Sequence, residues 1–443
     1  MSGDAFAGDP VVRESSAAGA PETNVPAATV PGPTVPETAV RRARWDPRGW
    51  PWWLQTLAVY AGARLFSAVA LVATAQHQEA SYWAGDRPSY LQFTGLFWDA
   101  TWYRQIAEHG YPSTLPRDAN GDVQQNVWAF FPLFPMLVRG FMQLTGGQWY
   151  QVAPLLALVL GGAAMLVVHR AVAEGAPRAV AARPGLPLAT VALVSVFPTA
   201  PVLQIGYTES LALLLVASAL LLLIRRSYLL AGAVILALGF TRAVALPMAA
   251  VILVHAAARW WHARRGEDRL RARDWGALAG LAATAAVSGV AWPLICGRVT
   301  GERDAYLLTQ ETWRGVREVV PFGSWGYVSR FWFGDLAPWV LLASFALVVA
   351  VLVVPAAWRL GPELHAWPAA YLLYIAGAVE PSSSIARFLL LAFPLGAVTA
   401  GVVTRPARAR RLWFALVVVA MLGLQVVWVW DMWRLQGPTG WPP

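Results

Sequence analysis

"TESLALLLVASALLLLIRR", residues 208–226, has a carboxylate near one end, an arginine pair at the other, and a nearly unbroken apolar run between them. At 1.5 Å of rise per residue, 208–224 approaches the roughly 30 Å thickness of bilayer hydrocarbon. Arginine gathers on the cytoplasmic side of membrane helices, so Arg225 and Arg226 mark that end. Glu209 then sits at the outer end, two or three residues from hydrocarbon. A carboxylate there is a functional hypothesis by default. The plainer alternative is that Thr208 or Glu209 simply starts the helix.

The same pattern recurs along the chain. Of 443 residues, 57% are hydrophobic and only 13% charged, against about 25% charged in soluble proteins. The formal net charge is +9, and all 34 lysine-plus-arginine positions are arginine. Together with abundant alanine, valine, glycine and proline, this is the composition of a GC-rich genome. The arginines cluster at the ends of apolar runs, and no basic aromatic groove accompanies them. The excess charge therefore belongs to a membrane surface and not to nucleic acid. The single cysteine, Cys296, excludes an intrachain disulfide and a cysteine metal site.

Basic segments at 41–48, 170–183, 225–226, 259–273 and 405–411 order the chain when all are placed in the cytoplasm. The spans fall near 52–75, 150–170, 186–205, 208–224, 228–241, 244–260, 274–297, 335–357, 366–380, 385–404 and 411–431. This predicts an all-α polytopic bundle of about eleven transmembrane helices over residues 50–433, with the N-terminus inside. The pair 228–241 and 244–260 is short and reads as a hairpin turning at "GFTRAVALP". Residues 1–40 lack amphipathic periodicity and read as a disordered cytoplasmic tail. The basic patch, apolar stretch and "ATA" at 73–75 imitate a signal peptide, but the stretch is too long and too far from the start.

Two long outer loops result, 76–149 and 298–334. The first holds "WAFFPLFPMLVRGFMQLTG", 128–146, whose Pro132, Pro135 and Arg139 favour an interfacial helix on the outer leaflet over a span. It also holds "FWDATWYRQIAEHGYP", 97–112. A helix is predicted over about 100–109, stopped at Gly110, with Asp99 as its N-cap. At helical spacing Trp98 and Trp102 share one face, as do Asp99 and Tyr103. Interfacial aromatics commonly anchor helices, and they also stack on sugar rings. A carboxylate in such a groove can take a proton from a hydroxyl nucleophile.

Two outward arginines complete the set. Arg242 lies at the tip of the "GFTRAVALP" hairpin, where the positive-inside rule disfavours it, so an acidic partner or a phosphate is expected. Arg387, in "EPSSSIARFLLLAFPLG", enters an uncharged span about one turn deep, which costs a few kcal/mol unless it is paired or hydrated. Glu380 is the nearby acidic residue. Snorkelling or a structural ion pair are the plainer readings. "RDANGD", 117–122, misplaces the glycine of a calcium loop. No histidine spacing suggests zinc, and neither a P-loop nor a dinucleotide fingerprint occurs. The chain has no cytoplasmic domain large enough for a nucleotide sugar.

Together, "FWDATWYRQIAEHGYP", "AFFPLFPML", "GYTES", "FTR" and "RFLLLAFPL" resemble the PIG-V family, the GPI mannosyltransferase 2 group and its bacterial relatives. "LTQETWRG", 308–315, resembles the Gln/Trp stretch of that family's second long loop. The resemblance covers roughly residues 50–400. It implies a GT-C-type glycosyltransferase whose site faces away from the cytoplasm of a plasma membrane. Such an enzyme takes a polyprenyl-phosphate sugar, commonly mannose, as donor, and an acceptor hydroxyl on a glycolipid, glycan or protein. It needs no cofactor and no metal. Carried over by position, Asp99 is the catalytic base of an inverting displacement, and Arg387 and Arg242 bind the donor phosphate. Trp98, Trp102, Tyr103, Tyr207, Glu209, Gln310 and Trp313 line the substrate site. The GPI acceptor itself is not carried over to a bacterium of this composition. The main alternative is a transporter or flippase, which predicts polar residues near the midplane and broken, repeated helices. No internal repeat is visible.

Overall fold

Apolar runs become helices because lipid offers no partners for backbone N–H and C=O groups. The structure, a computed structural model, describes residues 49–314 and 320–437. The stretch read as a tail, 1–40, and the basic segment 41–48 lie outside the described residues. From Pro51 onward the chain forms one unit. Among the described residues there is no strand, only an isolated bridge between Arg117 and Val123.

Five helical segments are long and apolar enough to cross a membrane: Trp52–Ala75, Trp149–Gly175, Ala272–Thr300, Ser324–Trp358 and Ala407–Trp433. Their outward faces carry exposed side chains such as Leu65, Val159, Leu294, Phe345 and Leu416, which suit lipid and not water. Leu186–Ser195, Glu209–Ile224 and Tyr228–Gly239 are shorter apolar helices. Leu246–Arg264 and Pro362–Ala378 complete the bundle around them.

Trp149–Gly175 is the central helix, packed on Trp52–Ala75, Leu186–Ser195 and Glu209–Ile224. Small residues permit this approach. A Cβ on Gly161 would collide with the Tyr60 hydroxyl, which donates to the Leu158 carbonyl at 2.9 Å. Gly95 matters more for the site. A Cβ there would meet the Tyr150 Cα at 2.6 Å, so only glycine lets the chain leading to Asp99 lie against the central helix.

Two expected spans are not continuous helices. The stretch 186–205 forms the helix Leu186–Ser195, then a 3-10 turn at Ala200–Gln204. Pro198 and Pro201 cause the break, since proline lacks the N–H that a helix needs. The stretch 385–404 likewise splits into Ile385–Phe388, a 3-10 turn at Leu389–Leu391, and Pro394–Gly401. The two interrupted segments meet: Leu186–Ser195 packs on Pro394–Gly401, and the Thr199 hydroxyl donates to the Ala386 carbonyl at 3.3 Å.

The turn expected at "GFTRAVALP" is present between Tyr228–Gly239 and Leu246–Arg264. The apolar stretch 128–146 forms a 3-10 turn at Val127–Ala129 and the helix Leu133–Thr145. That helix leaves Phe141 and Leu144 exposed. Much of 298–334 is helical as well, with Ala305–Arg314 and Ser324–Phe333 inside it.

Candidate active site

The Asp99 carboxylate is aimed by an unusual residue before it. Trp98 has φ 57°, a left-handed value strained for any side chain with a Cβ. Its indole is buried, donates from Nε1 to the Trp433 carbonyl at 2.8 Å, and packs on Trp83 at 5.0 Å. Such strain costs on the order of 1–3 kcal/mol and persists only where the surroundings over-determine it. The helix therefore begins one residue earlier than expected, as Asp99–His109, with Trp98 and not Asp99 at the N-cap. Asp99 is the first helical residue, where a carboxylate complements the helix dipole. Gly110, with φ 79°, ends the helix as its spacing predicts. Because Trp98 has left helical geometry, it does not share a face with Trp102, and it is walled off in the core.

Four charged side chains reach one another in a row. Arg387 donates from Nη2 to Asp99 Oδ2 at 2.5 Å and from Nη1 to Glu209 Oε1 at 3.1 Å. Arg242 donates from Nη1 to the same Glu209 oxygen at 2.6 Å and to Thr208 Oγ1 at 3.1 Å. Side-chain exposure rises along the row from Glu209 at 0% to Arg387 at 7%, Asp99 at 13% and Arg242 at 15%. Two positive and two negative groups cancel, which is what makes their burial tolerable. Glu380, the sequence neighbour expected to pair with Arg387, instead accepts a hydrogen bond from the Tyr327 hydroxyl at 3.0 Å. Arg387 turns inward, to carboxylates nearly two hundred or more positions away along the chain.

Neutral groups complete the frame. The Tyr207 hydroxyl accepts from the Asp99 backbone N–H at 3.0 Å, and its ring lies 4.9 Å from the Arg387 guanidinium carbon. Phe388 presents its ring to Arg242 at 4.4 Å, a cation–π contact. Tyr103 and Thr208 share a hydrogen bond at 3.4 Å. Burial pushes the Tyr103 phenol well above its ordinary range, so it acts as a neutral hydroxyl.

The row is not saturated. Among the described residues, Asp99 Oδ1 accepts no hydrogen bond and Arg242 bonds only through Nη1. Glu209 Oε2 and Arg387 Nε are buried without a partner. Beside the row, Trp102 lies one turn after Asp99 on the same helix. It stacks on Phe130 at 5.9 Å with 14° between the rings, and Trp313 meets it edge-on at 5.5 Å. The Trp313 Nε1 is buried and unpartnered. Gln310 donates to the Ala129 carbonyl at 3.4 Å, which ties its helix to the segment after Asn126. Among the described residues no group of three or more His, Cys, Asp or Glu side chains converges to hold a metal.

Asp99, Glu209, Arg242, Arg387, Tyr103 and Tyr207 are thus brought together; Trp102 and Trp313 form an adjoining aromatic wall; Trp98 is excluded. Arg64 escaped the sequence reading. It is buried in Trp52–Ala75 and donates from Nη2 to the Ser195 carbonyl at 2.6 Å and from Nη1 to the Ala200 carbonyl. It thereby satisfies the carbonyls freed where the helix breaks before Tyr207. The signal was available: a lone arginine in the middle of the first apolar run.

No family model and no curated protein matches the chain. It is similar to solved structures of the Archaeoglobus fulgidus oligosaccharyltransferase. One, tethered to an acceptor peptide containing the NVT sequon, is 14% identical over 85% of this chain and 55% of that one, with a TM-score of 0.45. Another, in complex with zinc and sulfate, is 15% identical over 87% and 54%, with a TM-score of 0.44. A third, AglB with an inhibitory peptide and a dolichol-phosphate, is 13% identical over 89% and 57%, with a TM-score of 0.46. The chain spans a little over half the length of these structures.

Proposed function

We propose that this chain is a membrane glycosyltransferase of the GT-C kind. It moves a sugar, mannose in the first instance, from a polyprenyl phosphate to an acceptor hydroxyl on a glycolipid, glycan or protein. The supporting observation is the row Asp99–Arg387–Glu209–Arg242, which ends in an unbonded carboxylate oxygen on one side and unbonded guanidinium nitrogens on the other. Those two ends match what a glycosyl transfer from a phosphate requires.

In this mechanism Asp99 Oδ1 accepts the proton of the acceptor hydroxyl. The hydroxyl oxygen forms a bond to the anomeric carbon as the bond from that carbon to the phosphate oxygen breaks. Displacement from the opposite face inverts the centre, and no second carboxylate is needed near Asp99 as a nucleophile. The electron pair leaves on the phosphate, where Arg242 meets the developing charge with its free nitrogens. Arg387 has both terminal nitrogens on carboxylates. Its main part is therefore to hold Asp99 ionised and aimed, in place of the direct phosphate contact expected from its position. Glu209 fixes both arginines. Trp102 and Trp313 offer faces for the sugar.

The proposed orientation follows the arginines. Arg170, Arg225, Arg226 and Arg259 sit at the ends of helices directed away from the row, which supports an orientation with the row on the non-cytoplasmic side of the plasma membrane. About eleven crossings then result, with the six shorter or broken segments crossing inside the bundle.

Transport is the second reading. The two interrupted helices and the buried Arg64 are features expected of a substrate path through a bundle. The two readings separate in vesicles containing the purified protein. Transfer of hexose from polyprenyl-phosphate mannose to added glycolipid, abolished in Asp99→Asn, supports the enzyme. Movement of lipid-linked sugar across the bilayer without any new glycosidic bond supports the transporter and overturns the enzyme.

A further inference from the structure

An apolar groove of about 360 Å³ runs between the helices Leu133–Thr145 and Tyr228–Gly239. Its walls are Leu133, Met136, Ala233, Leu236, Ala237 and Phe240, and no charged residue lines it. Ala233 and Ala237 are one helical turn apart, and their short side chains make the trough. Leu236 and Met136 stand at the rims, 43% and 36% exposed. The floor is held by a backbone hydrogen bond from the Leu133 N–H to the Phe240 carbonyl at 2.9 Å. Pro132, the N-cap of the Leu133 helix, stiffens the entry.

The end of this groove is what gives it a meaning. Phe240 is followed, two residues on, by Arg242, the guanidinium with free nitrogens. Two residues of extended chain reach only about 7 Å. A molecule filling the trough with hydrocarbon would therefore bring a polar head to Arg242. A volume of this size is at the small end of ligand sites, which run from about 300 to 1,000 Å³.

We propose that this groove binds the isoprenoid chain of a polyprenyl phosphate, seating the units nearest the phosphate so that the head meets Arg242. The inference rests on the reading of the chain as a lipid-linked glycosyltransferase, and it adds where the donor enters: sideways, between Leu133–Thr145 and the Tyr228 hairpin. A branched, methyl-bearing chain suits a trough of alternating small and large side chains. A straight acyl chain has no branches to fill the spaces over Ala233 and Ala237.

Two measurements on the full-length protein in phosphatidylglycerol vesicles test this. In the first, a polyprenyl phosphate with a photoreactive diazirine in its first isoprene unit is irradiated and labelled peptides are identified. Labelling of 132–136 and 233–240, competed by unlabelled polyprenyl phosphate while bulk phospholipid is already in excess, is the expected result. No labelling there, or labelling abolished by added phospholipid of the same concentration, means ordinary acyl chains or nothing fills the trough, and overturns the inference. In the second, Ala237→Leu and, independently, the rim variant Met136→Trp narrow the groove. KM for a long-chain donor should rise about tenfold, the effect of losing contact with roughly two methylene groups, with kcat changed by less than twofold. Unchanged KM in both folded variants also overturns it. Specific labelling by a protein that transfers no sugar would leave the groove assignment standing while the enzyme reading fell.

Discussion

Two clusters of buried charge sit at opposite ends of the Glu209–Ile224 helix, and they are built on different terms. The helix has 16 residues, so about 24 Å separates its ends. At one end is the row of Asp99, Arg387, Glu209 and Arg242. At the other, Asp268 accepts from Arg259 Nε at 2.9 Å, Arg226 Nη1 at 2.8 Å and the Arg269 N–H at 2.7 Å. Arg259 goes on to donate to the Tyr228 hydroxyl at 2.9 Å, Tyr228 bonds His255 Nε2 at 3.1 Å, and His255 Nδ1 meets Glu363 at 2.5 Å. None of these residues leaves a buried side-chain atom unpartnered, whereas Glu209 and Arg387 both do. A network that satisfies its own valences is a fastening for the helices it joins. One that keeps bonding capacity in reserve is equipped to bind a substrate.

This contrast predicts which substitutions remove activity and which remove stability. The largest effect is expected at Asp99. Asp99→Asn keeps the size and most contacts of the side chain but loses the proton acceptor, so transfer should fall by about 10²- to 10⁴-fold in folded protein. Arg242→Ala comes next. Removing one donor to the departing phosphate typically costs about 10²- to 10³-fold in rate, measurable as kcat/KM with a lipid-linked donor. Arg387→Ala should register first as lost stability, of about 3–5 kcal/mol, because Asp99 and Glu209 would be buried with an arginine fewer between them; thermal unfolding in detergent measures it.

At the far cluster the expected order is reversed. Asp268→Asn should lower stability by ~1–3 kcal/mol while specific activity per folded molecule stays within about twofold. A collapse of activity there, with stability intact, would erase the distinction between the two ends. The smallest effect is one of pH. The hydrogen bond from Arg259 holds the Asp268 carboxyl well below the usual carboxylate range. A depressed folded value means the stabilisation is fully present above the ordinary carboxylate pKa of about 4 and is lost as pH falls below it. The unfolding midpoint of the native chain should drop between about pH 4 and pH 2 more steeply than that of Asp268→Asn.

Much of this was legible in the residues themselves. Asp99, Arg242 and Arg387 stand out because charge at the outer edge of apolar runs is rare and costly, and all three meet in the structure. Their common partner was harder to see. Glu209 also reads as an ordinary helix start, and only the fold shows one of its oxygens held by two arginines. Glu380 was the attractive partner for Arg387 because it is close in sequence, yet closeness along the chain says little about where a side chain turns. The helix breaks at 195–204 and 385–394 were written in Pro198, Pro201 and Pro394, but apolar content masked them. The fate of Trp98 was illegible in principle, because a tryptophan at φ 57° violates the local preference from which helical faces are counted.

The most direct test of the central claim is a comparison of envelope glycans by mass spectrometry. A strain lacking the gene is complemented with the native chain, with Asp99→Asn, or with Asp268→Asn at matched membrane levels. The account predicts glycolipids or glycoproteins short by one hexose in the deletion strain and in Asp99→Asn, with full length restored by the native chain and by Asp268→Asn. Full restoration by Asp99→Asn would contradict it.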